Sequence, residues 1–433
     1  MPTGIGARPW RRAFAWLLFL APFFYLTYGE ANWLAARRDG VPSIVFDWEH
    51  WIPFVDWTII PYWSINAFYG LSFFVCRSKA ELDTHGLRLL TAQLIAVTCF
   101  ILFPLRFTFA QPETTGFPGF LFHALTSFDQ PFNQAPSLHI ALCVILWALY
   151  SRHVPRWGLW LLNAWFVLVA VSVLTTYQHH FIDLPTGVLL GLFCVWLWPT
   201  ESESPLSHFG FTADPPRRRL ALRYALCAVA LGVLAVWIGG AALLLFWPAV
   251  ALLMVAANYA LFGPESFQKS ANGRMSVASR LLLAPYHAGA WINSRAWTRR
   301  HPASVAVADG VSLGRIPVRR DCTTLTTIDL CAELPGRGWR CYAFPMLDLV
   351  APDPEQLLTA SRAIEAARSE GAVLVYCALG VSRSASAVAT WLTVTGRAAS
   401  VDHAIETVRK VRPRIVLGED AKRAIAEAVE MAR

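Results

Sequence analysis

The sequence predicts two parts of different fold class: an all-α polytopic membrane domain with about eight transmembrane helices and, after it, an α/β domain. Hydrophobic residues make up 55% of the chain and charged residues only 15%, and long apolar segments recur as far as residue 262. Further along, the apolar run Val373–Tyr376 predicts a buried strand, and the helix formers from Ser384 onward predict a helix after a short loop. The predicted domains are a membrane domain (1–262), an amphipathic connector (263–300) and an α/β domain (301–433).

Eight apolar segments of the membrane domain are interpreted as spans. The first follows three arginines and resembles a signal sequence, but no small-residue cleavage site follows it, so we expect a retained signal-anchor helix. The fourth segment is short for a membrane crossing, and the apolar pattern does not set sharp boundaries for the third, seventh and eighth. The segments are 13–29, 53–75, 88–109, 138–151, 157–177, 182–198, 221–238 and 241–262.

Positive charge is distributed unevenly over the loops between these segments. With the N-terminus inside, the cytoplasmic loops carry most arginines and lysines, whereas the outer loops carry only Arg37, Arg38 and, at a helix edge, Arg106. The positive-inside rule therefore predicts a cytoplasmic N-terminus. An even number of spans then returns the C-terminal domain to the cytoplasm, where thiols stay reduced.

The net charge of +8 does not indicate a nucleic-acid partner. The arginines are dispersed along the sequence, and the sequence contains no cysteine and histidine spacing typical of zinc fingers. The nine cysteines lie mostly in apolar runs or in the C-terminal domain without disulfide-like spacing. We therefore expect free thiols and no nucleic-acid binding.

Two polar stretches lie at predicted outer boundaries of the membrane domain. One is Pro136–His139 and the other is Gln178–Asp183. The spacing of His179 and Asp183 lets a carboxylate hold one imidazole nitrogen and raise the basicity of the other, while His139 supplies an acid. Ionisable residues at a membrane boundary are energetically costly unless they have a function. The alternatives are side chains that simply face lipid headgroups and, less favoured because no further carboxylate or cysteine completes the set, a metal site.

These stretches resemble motifs of the type 2 phosphatidic acid phosphatase superfamily, over about residues 50–200. Pro136–His139 matches its Pro-Ser-x-His motif, and His179 with Asp183 matches its His-x-x-x-Asp motif. The resemblance implies that His179 attacks phosphorus, that Asp183 orients it, that His139 protonates the leaving group and that Ser137 contacts phosphate. It is closest to inositol phosphorylceramide synthases and sphingomyelin synthases, in which the acceptor can be a lipid alcohol.

The sequence departs from this superfamily at two of its basic positions. The first motif, a lysine followed by Arg-Pro, is not found before residue 136, and Val173 stands where an arginine is expected. Arg106 is the candidate substitute for binding phosphate, and a lone arginine that reaches to the membrane surface explains it equally well.

The connector combines aromatic and basic residues after Gly263-Pro264. This composition next to a bilayer indicates an interfacial helix on anionic lipid. A helix that packs on the C-terminal domain is the equal alternative.

The stretch from Cys377 to Ser384 has the features of an anion site. A strand, a tight loop containing Gly380 and a helix start bring backbone N–H groups and the positive end of a helix dipole together. This field favours the thiolate of Cys377, and Arg383 adds a planar fork for two phosphate oxygens. A purely structural buried cysteine is the alternative interpretation.

The same stretch resembles the signature loop of the dual-specificity protein phosphatases, Cys-x-x-Gly-x-x-Arg-Ser, and the likeness spans about residues 300–430. It implies an α/β cysteine-phosphatase fold in which Cys377 is the nucleophile, Arg383 binds the phosphoryl group and Ser384 assists hydrolysis of the phosphocysteine. Tyr376 replaces the histidine that usually precedes the cysteine, and Asp348 stands at the place of the general acid. Gly380 and Ser382 are the expected phosphate-binding positions of the loop.

The predicted function is that of a membrane-bound bifunctional phosphatase acting on phosphomonoesters, favoured as lipid-linked, with a phosphohistidine site outside and a phosphocysteine site in the cytoplasm. No metal or other cofactor is expected, and the partners are membrane lipids and a phosphorylated lipid or phosphoprotein substrate. The alternatives are a lipid phosphotransferase or synthase domain fused to a protein phosphatase, and a non-catalytic lipid-binding anchor. The resemblance to bacterial fusions of the two families implies a multi-pass protein of the cell inner membrane, and the oligomeric state stays open.

Overall fold

The computed structural model describes residues 8–318 and 326–433. The chain divides into two compact units. Unit 1 comprises Met1–Ser204 and Gly232–Trp247, and unit 2 comprises Pro205–Leu231 and Pro248–Arg433.

The region up to residue 262 is helical. Its helices are α1 (Trp10–Ala36), α2 (Ile59–Val75), α3 (Lys79–Leu102), α4 (Gly116–Thr126), α5 (Leu138–His153), α6 (Leu159–Thr175), α7 (Asp183–Leu197), α8 (Pro215–Ile238) and α9 (Phe246–Ala257). Short 3-10 turns precede α6 and α9, and a π-helical turn, Asn258–Phe262, extends α9.

Five helical segments of the described residues are long and apolar enough to cross a membrane. They are Trp10–Ala36, Lys79–Leu102, Arg156–Thr175, Pro215–Ile238 and Gly240–Phe262. This is compatible with a membrane protein, but the predicted eight spans are not confirmed, since α5 and α7 are shorter apolar helices and α2 has 17 residues. The predicted segment 88–109 was misplaced: α3 begins at Lys79 and ends at Leu102, which leaves Arg106 outside the helix.

Helices α5 and α7 pack closely because two glycines of α7 have no side chain in the way. A Cβ at Gly187 would lie 2.5 Å from the carbonyl oxygen of Ser137, and one at Gly191 would lie 2.8 Å from that of Ala141. Small residues allow such close approach of helix backbones. The contact brings the start of α5 to the start of α7, where the main-chain N–H of Ser137 donates to the carbonyl of Asp183 at 3.1 Å.

Unit 2 is built on a five-stranded sheet of order β1-β2-β5-β3-β4, which confirms the predicted α/β class. The strands are β1 (Ser304–Ala308), β2 (Val311–Arg315), β3 (Thr326–Cys331), β4 (Arg340–Met346) and β5 (Val373–Cys377). Among the described strand pairs of this sheet, only β1–β2 is antiparallel. The central strand β5 is buried along its whole length, as expected for an apolar run covered on both faces.

Within its described residues, unit 2 has six further helices. They are α10 (Val277–Leu282), α11 (Ala284–Thr298), α12 (Pro354–Glu370), α13 (Arg383–Val394), α14 (Val401–Val411) and α15 (Glu419–Glu430). Trp291 of α11 packs against the core of the sheet domain, and the Ser294 hydroxyl donates to the carbonyl of Ala378 at 2.6 Å. Contact of the connector with a lipid surface stays a prediction.

Candidate active sites

The candidate nucleophile lies where strand β5 leads into helix α13. β5 ends at Cys377, and α13 begins at Arg383 after the loop 378–382. Gly380 has a φ of +72°, and a Cβ at this position would lie 2.4 Å from the main chain of Gly314 in β2. Glycine is therefore required for the loop to fold this tightly against the sheet.

Two donors point at the sulfur of Cys377, which is 2% exposed. The main-chain N–H of Gly380 lies 3.2 Å from Sγ, and the hydroxyl of Ser384 lies 3.3 Å from it. Hydrogen bonds to sulfur favour its charged form, and the N-terminus of α13 adds the positive end of a helix dipole. The loop thus directs two hydrogen-bond donors and the N-terminus of a helix at a buried sulfur. Ser382 lies directly before α13, and its carbonyl accepts from the N–H of Ser386 at 2.8 Å.

The guanidinium of Arg383 is buried and held by carboxylates. Both of its terminal nitrogens donate to the carboxylate of Glu333, each at 2.7 Å, and one also donates to the carbonyl of Met346 at 2.9 Å. An oxygen of Asp348 lies 3.0 Å from the other. The Nε–H is buried without a hydrogen-bond partner among the described residues, so one strong donor remains available for a phosphate oxygen.

Glu333 was not predicted as a site residue from the sequence, although an acidic residue next to an apolar strand end is a signal for one. The residue follows the apolar end of β3 and precedes Leu334, and it is only 4% exposed. A carboxylate at such a place needs a cationic partner, because an unpaired buried charge is strongly unfavourable. Although burial alone would raise it, the pKa of Glu333 is lowered by Arg383.

The predicted general acid, Asp348, lies beside Arg383 in the loop after β4. Burial raises the pKa of its carboxyl, Glu333 adds to this rise and Arg383 opposes it. A general acid must carry its proton before the leaving group departs, so a raised pKa suits this role. The geometry therefore brings together Cys377, Arg383 and Asp348 as predicted, and their catalytic roles stay predictions.

We expect the alkaline limit of kcat to lie at higher pH than an ordinary aspartate would give. The raised pKa keeps Asp348 protonated over a wider range, and activity falls once pH exceeds that pKa. The measurement is kcat against pH for full-length protein with phenyl phosphate as the substrate. Asp348→Asn should lower kcat by about 100-fold and remove the alkaline limb. An unchanged limb in this variant would assign it to another group.

Tyr376, which replaces the usual histidine, makes its side-chain hydrogen bonds with the main chain of Arg337, outside the signature loop. Its hydroxyl accepts from the main-chain N–H of Arg337 at 2.7 Å. On the other side of the loop, the Arg412 guanidinium donates to the carbonyl of Leu379 at 3.2 Å. These contacts hold the end of β5 and the first part of the loop to two other segments of the chain.

In unit 1, three of the predicted residues meet at the starts of α5 and α7. Nδ1 of His179 lies 3.1 Å from a carboxylate oxygen of Asp183, and Nε2 lies 3.2 Å from the hydroxyl of Ser137. A carboxylate on one ring nitrogen fixes the tautomer and orientation of an imidazole. The same oxygen of Asp183 accepts from the main-chain N–H of His180 at 3.1 Å.

The other two predicted residues of this site are less directly engaged. The ring of His139 stacks on Tyr62 with a centroid distance of 4.2 Å, and its Nε2 is buried without a hydrogen-bond partner in the described part of the chain. Arg106 is exposed and lines a cavity of about 440 Å³ that His179 also lines. The structure thus places Arg106 and His179 on one cavity, whereas His139 lies behind Tyr62.

Two acidic residues near this cavity were not singled out from the sequence. Glu49 accepts from Nδ1 of His180 at 2.9 Å; burial favours its neutral form, but hydrogen bonds from His180 and two main-chain N–H groups lower its pKa. Asp129 lines the cavity and accepts from Asn32 at 3.2 Å. Burial raises the pKa of Asp129. Glu49 lies in the 3-10 turn Asp47–Trp51 and Asp129 in the connection before α5, and neither belongs to a motif that marks a buried carboxylate.

No metal centre is evident in the part of the chain that the structure describes. Within residues 8–318 and 326–433, no group of three or more His, Cys, Asp or Glu side chains is placed to hold a metal ion.

Comparison with known proteins gives one family and several similar structures. Residues 344–430 match the family model described as dual specificity phosphatase, catalytic domain. Tk-PTP in its active form has 27% sequence identity, covering 30% of this chain and 97% of that chain, with a TM-score of 0.27. Human DUSP28 has 26% identity, covering 30% of this chain and 95% of that chain, with a TM-score of 0.28. Among curated proteins, no relative matched the chain.

The matched segment includes the loop after β4 that carries Asp348, the signature loop and the helices that follow the signature loop. Asp348, Cys377, Arg383 and Ser384 all lie within residues 344–430. No family was matched to the N-terminal helical region, so its resemblance to the type 2 phosphatidic acid phosphatases stays a prediction. The chain therefore carries a C-terminal dual-specificity phosphatase catalytic domain and is a phosphoric monoester hydrolase.

Proposed function

We propose that this protein is a membrane-bound bifunctional phosphatase whose substrates are lipid-linked phosphomonoesters. The cysteine site would act in the cytoplasm and the histidine site at the outer face, in a cell inner membrane. One observation carries the lipid assignment: the cavity beside the acid Asp348 is lined partly by residues of α8 and α9, both of which belong to candidate membrane spans.

This cavity of about 350 Å³ belongs entirely to unit 2. Asp348 and Ala378 line it together with Tyr224 of α8 and Leu252 of α9. A phosphate that reaches Cys377 from this cavity leaves the rest of its molecule against apolar helix surfaces. Acyl chains gain from such burial, whereas a peptide backbone would lose hydrogen bonds to water.

The reaction at the cysteine site follows from the contacts of its side chains. The Cys377 thiolate attacks phosphorus, and the bond from phosphorus to the ester oxygen breaks as Asp348 donates its proton to that oxygen. For this donation the carboxyl group of Asp348 must move away from the guanidinium of Arg383. An oxygen of the arriving phosphate then takes the place of Asp348 beside the guanidinium. Water then attacks the phosphocysteine with help from Ser384 and gives a proton to the Asp348 carboxylate, and the bond from phosphorus to sulfur breaks to release inorganic phosphate and the thiolate.

In unit 1, the ring of His179 is oriented for nucleophilic attack by its bond to Asp183. The cavity beside it carries a cationic side chain, Arg106, and a candidate acid, Asp129, whose pKa is raised by burial. Such a set supports binding and transfer of a phosphoryl group through a phosphohistidine.

The test compares two substrates in mixed micelles that contain anionic lipid and full-length protein, so that both sites are accessible. We expect phosphatidic acid to be hydrolysed in preference to a phosphotyrosine peptide at equal concentration, because micelle-bound protein meets lipid at high effective concentration. Phosphate release is measured for the wild type, Cys377→Ser, His179→Ala and the double variant. Each single variant should lose part of the lipid activity, and the double variant all of it.

The other outcomes identify the alternatives. Preference for the peptide would indicate a protein phosphatase with a membrane anchor. Unchanged lipid turnover in His179→Ala would make the membrane domain non-catalytic. Release of an exchanged lipid without inorganic phosphate, dependent on His179, would indicate a synthase.

A further inference from the structure

One tyrosine of the last apolar segment binds the main chain of the predicted general acid. The hydroxyl of Tyr259 donates to the carbonyl of Asp348 at 3.0 Å and accepts from its N–H at 3.1 Å. Tyr259 is 1% exposed and lies in the π-helical turn Asn258–Phe262. A single side chain therefore satisfies both main-chain hydrogen-bonding groups of the acid residue.

The loop that carries Asp348 needs such support. Leu349, the next residue, has a φ of +59°. This left-handed conformation is unfavourable for a residue with a branched side chain and persists only where surrounding contacts determine it. Without the tyrosine hydroxyl, the two main-chain groups of Asp348 would lose their partner, and the loop would be free to leave this conformation.

Tyr259 is itself held by its neighbours. The guanidinium of Arg217 in α8 donates to the carbonyl of Tyr259 at 3.1 Å, and the ring lies 5.6 Å from that of Tyr224. Single π-helical turns are rare and frequently occur at functional sites. All four residues, Arg217, Tyr224, Tyr259 and Asp348, belong to unit 2.

We propose that Tyr259 is a positioning residue for Asp348, so that proton donation at the cysteine site depends on the end of the last apolar segment. This rests on the proposed function only in taking Asp348 as the acid of the Cys377 reaction. With its main chain fixed by Tyr259, Asp348 changes partner from Arg383 to the leaving oxygen by a side-chain movement alone. The catalytic loop of the phosphatase domain is thereby completed by a residue that precedes the domain in sequence.

The test uses full-length protein in micelles with two aryl phosphates, p-nitrophenyl phosphate with a good leaving group and phenyl phosphate with a poor one. Tyr259→Phe removes only the hydroxyl. We expect kcat for phenyl phosphate to fall about 10-fold, with KM little changed, because the poor leaving group needs the acid. The rate with p-nitrophenyl phosphate should fall much less. In the background of Asp348→Asn, the same substitution should have no further effect on phenyl phosphate.

Tyr150→Phe is the matched control, because Tyr150 is a buried helix tyrosine of unit 1 whose hydroxyl donates to the carbonyl of Phe68 at 2.7 Å. It should leave both rates unchanged. If Tyr259→Phe does not fold, Arg217→Gln removes only the bond to the Tyr259 carbonyl and should give a smaller, equally selective loss. An equal loss on both substrates, or a loss that adds to that of Asp348→Asn, would overturn the proposal. Absence of Cys377-dependent turnover in the wild type would instead contradict the proposed function.

Discussion

Cys377→Ser is expected to abolish hydrolysis of p-nitrophenyl phosphate by the cysteine site. Serine keeps the size of the side chain, but its hydroxyl does not ionise at neutral pH and attacks phosphorus far more slowly than a thiolate. Loss of a nucleophile in other enzymes lowers kcat by about 10⁴- to 10⁶-fold. The measurement is phosphate release by full-length protein in the background of His179→Ala, so that the histidine site does not contribute.

A second cysteine of the same domain gives the control for this experiment. Cys341 lies in β4 as a free thiol. It is outside the signature loop, in which Gly380 and Ser384 donate hydrogen bonds to the sulfur of Cys377. Cys341→Ser should retain the activity of the parent protein. Activity retained by Cys377→Ser would exclude the phosphocysteine mechanism, whereas loss in both variants would indicate a general effect on folding.

The signature loop could be predicted from the sequence because its determinants are local. The strand ending at Cys377, the glycine at position 380 and the helix starting near Arg383 all lie within a short stretch, and the structure has each element there. The position of Asp348 beside this loop also agrees with the resemblance, since the structure puts its carboxylate 3.0 Å from Arg383.

The partners of these residues could not be predicted, because they come from distant parts of the chain. Glu333 binds Arg383 across 50 positions, and Tyr259 binds Asp348 across 89. Neither partner has a motif, and each is identified only when the sheet and helices are assembled. The same holds for Glu49, which reaches His180 across 131 positions.

The predicted number of spans is not confirmed, because apolar composition alone does not separate a membrane-crossing helix from a shorter buried one. α5 and α7 are apolar enough, but they have 16 and 15 residues, fewer than the roughly 20 that a crossing needs. Their close packing at Gly187 and Gly191 brings the predicted motif residues of the two helices together.

Glu333→Gln is expected to lower both stability and activity strongly. Arg383 is 1% exposed, and Glu333 is its bidentate partner at 2.7 Å on both oxygens. A neutral amide cannot balance the buried guanidinium, and breaking such a pair costs about 3–5 kcal/mol. Since the pKa of Glu333 is lowered by Arg383, although burial opposes this, the pair stabilises the fold above the ordinary pKa of a glutamate and loses its effect as pH falls through the lowered value.

The measurements are the midpoint of thermal unfolding in micelles and kcat/KM for p-nitrophenyl phosphate. The midpoint should fall by roughly 10 °C, and kcat/KM should fall because an unpaired guanidinium no longer has a fixed orientation for the phosphate. Glu370→Gln is the matched control: its pair with Arg340 at 2.6 Å has side chains 58% and 60% exposed, and such exposed pairs contribute about 0–1 kcal/mol. Equal midpoints for the two variants would mean that Glu333 does not support Arg383. A lowered midpoint with unchanged kcat/KM would mean that the arginine is oriented by the substrate itself.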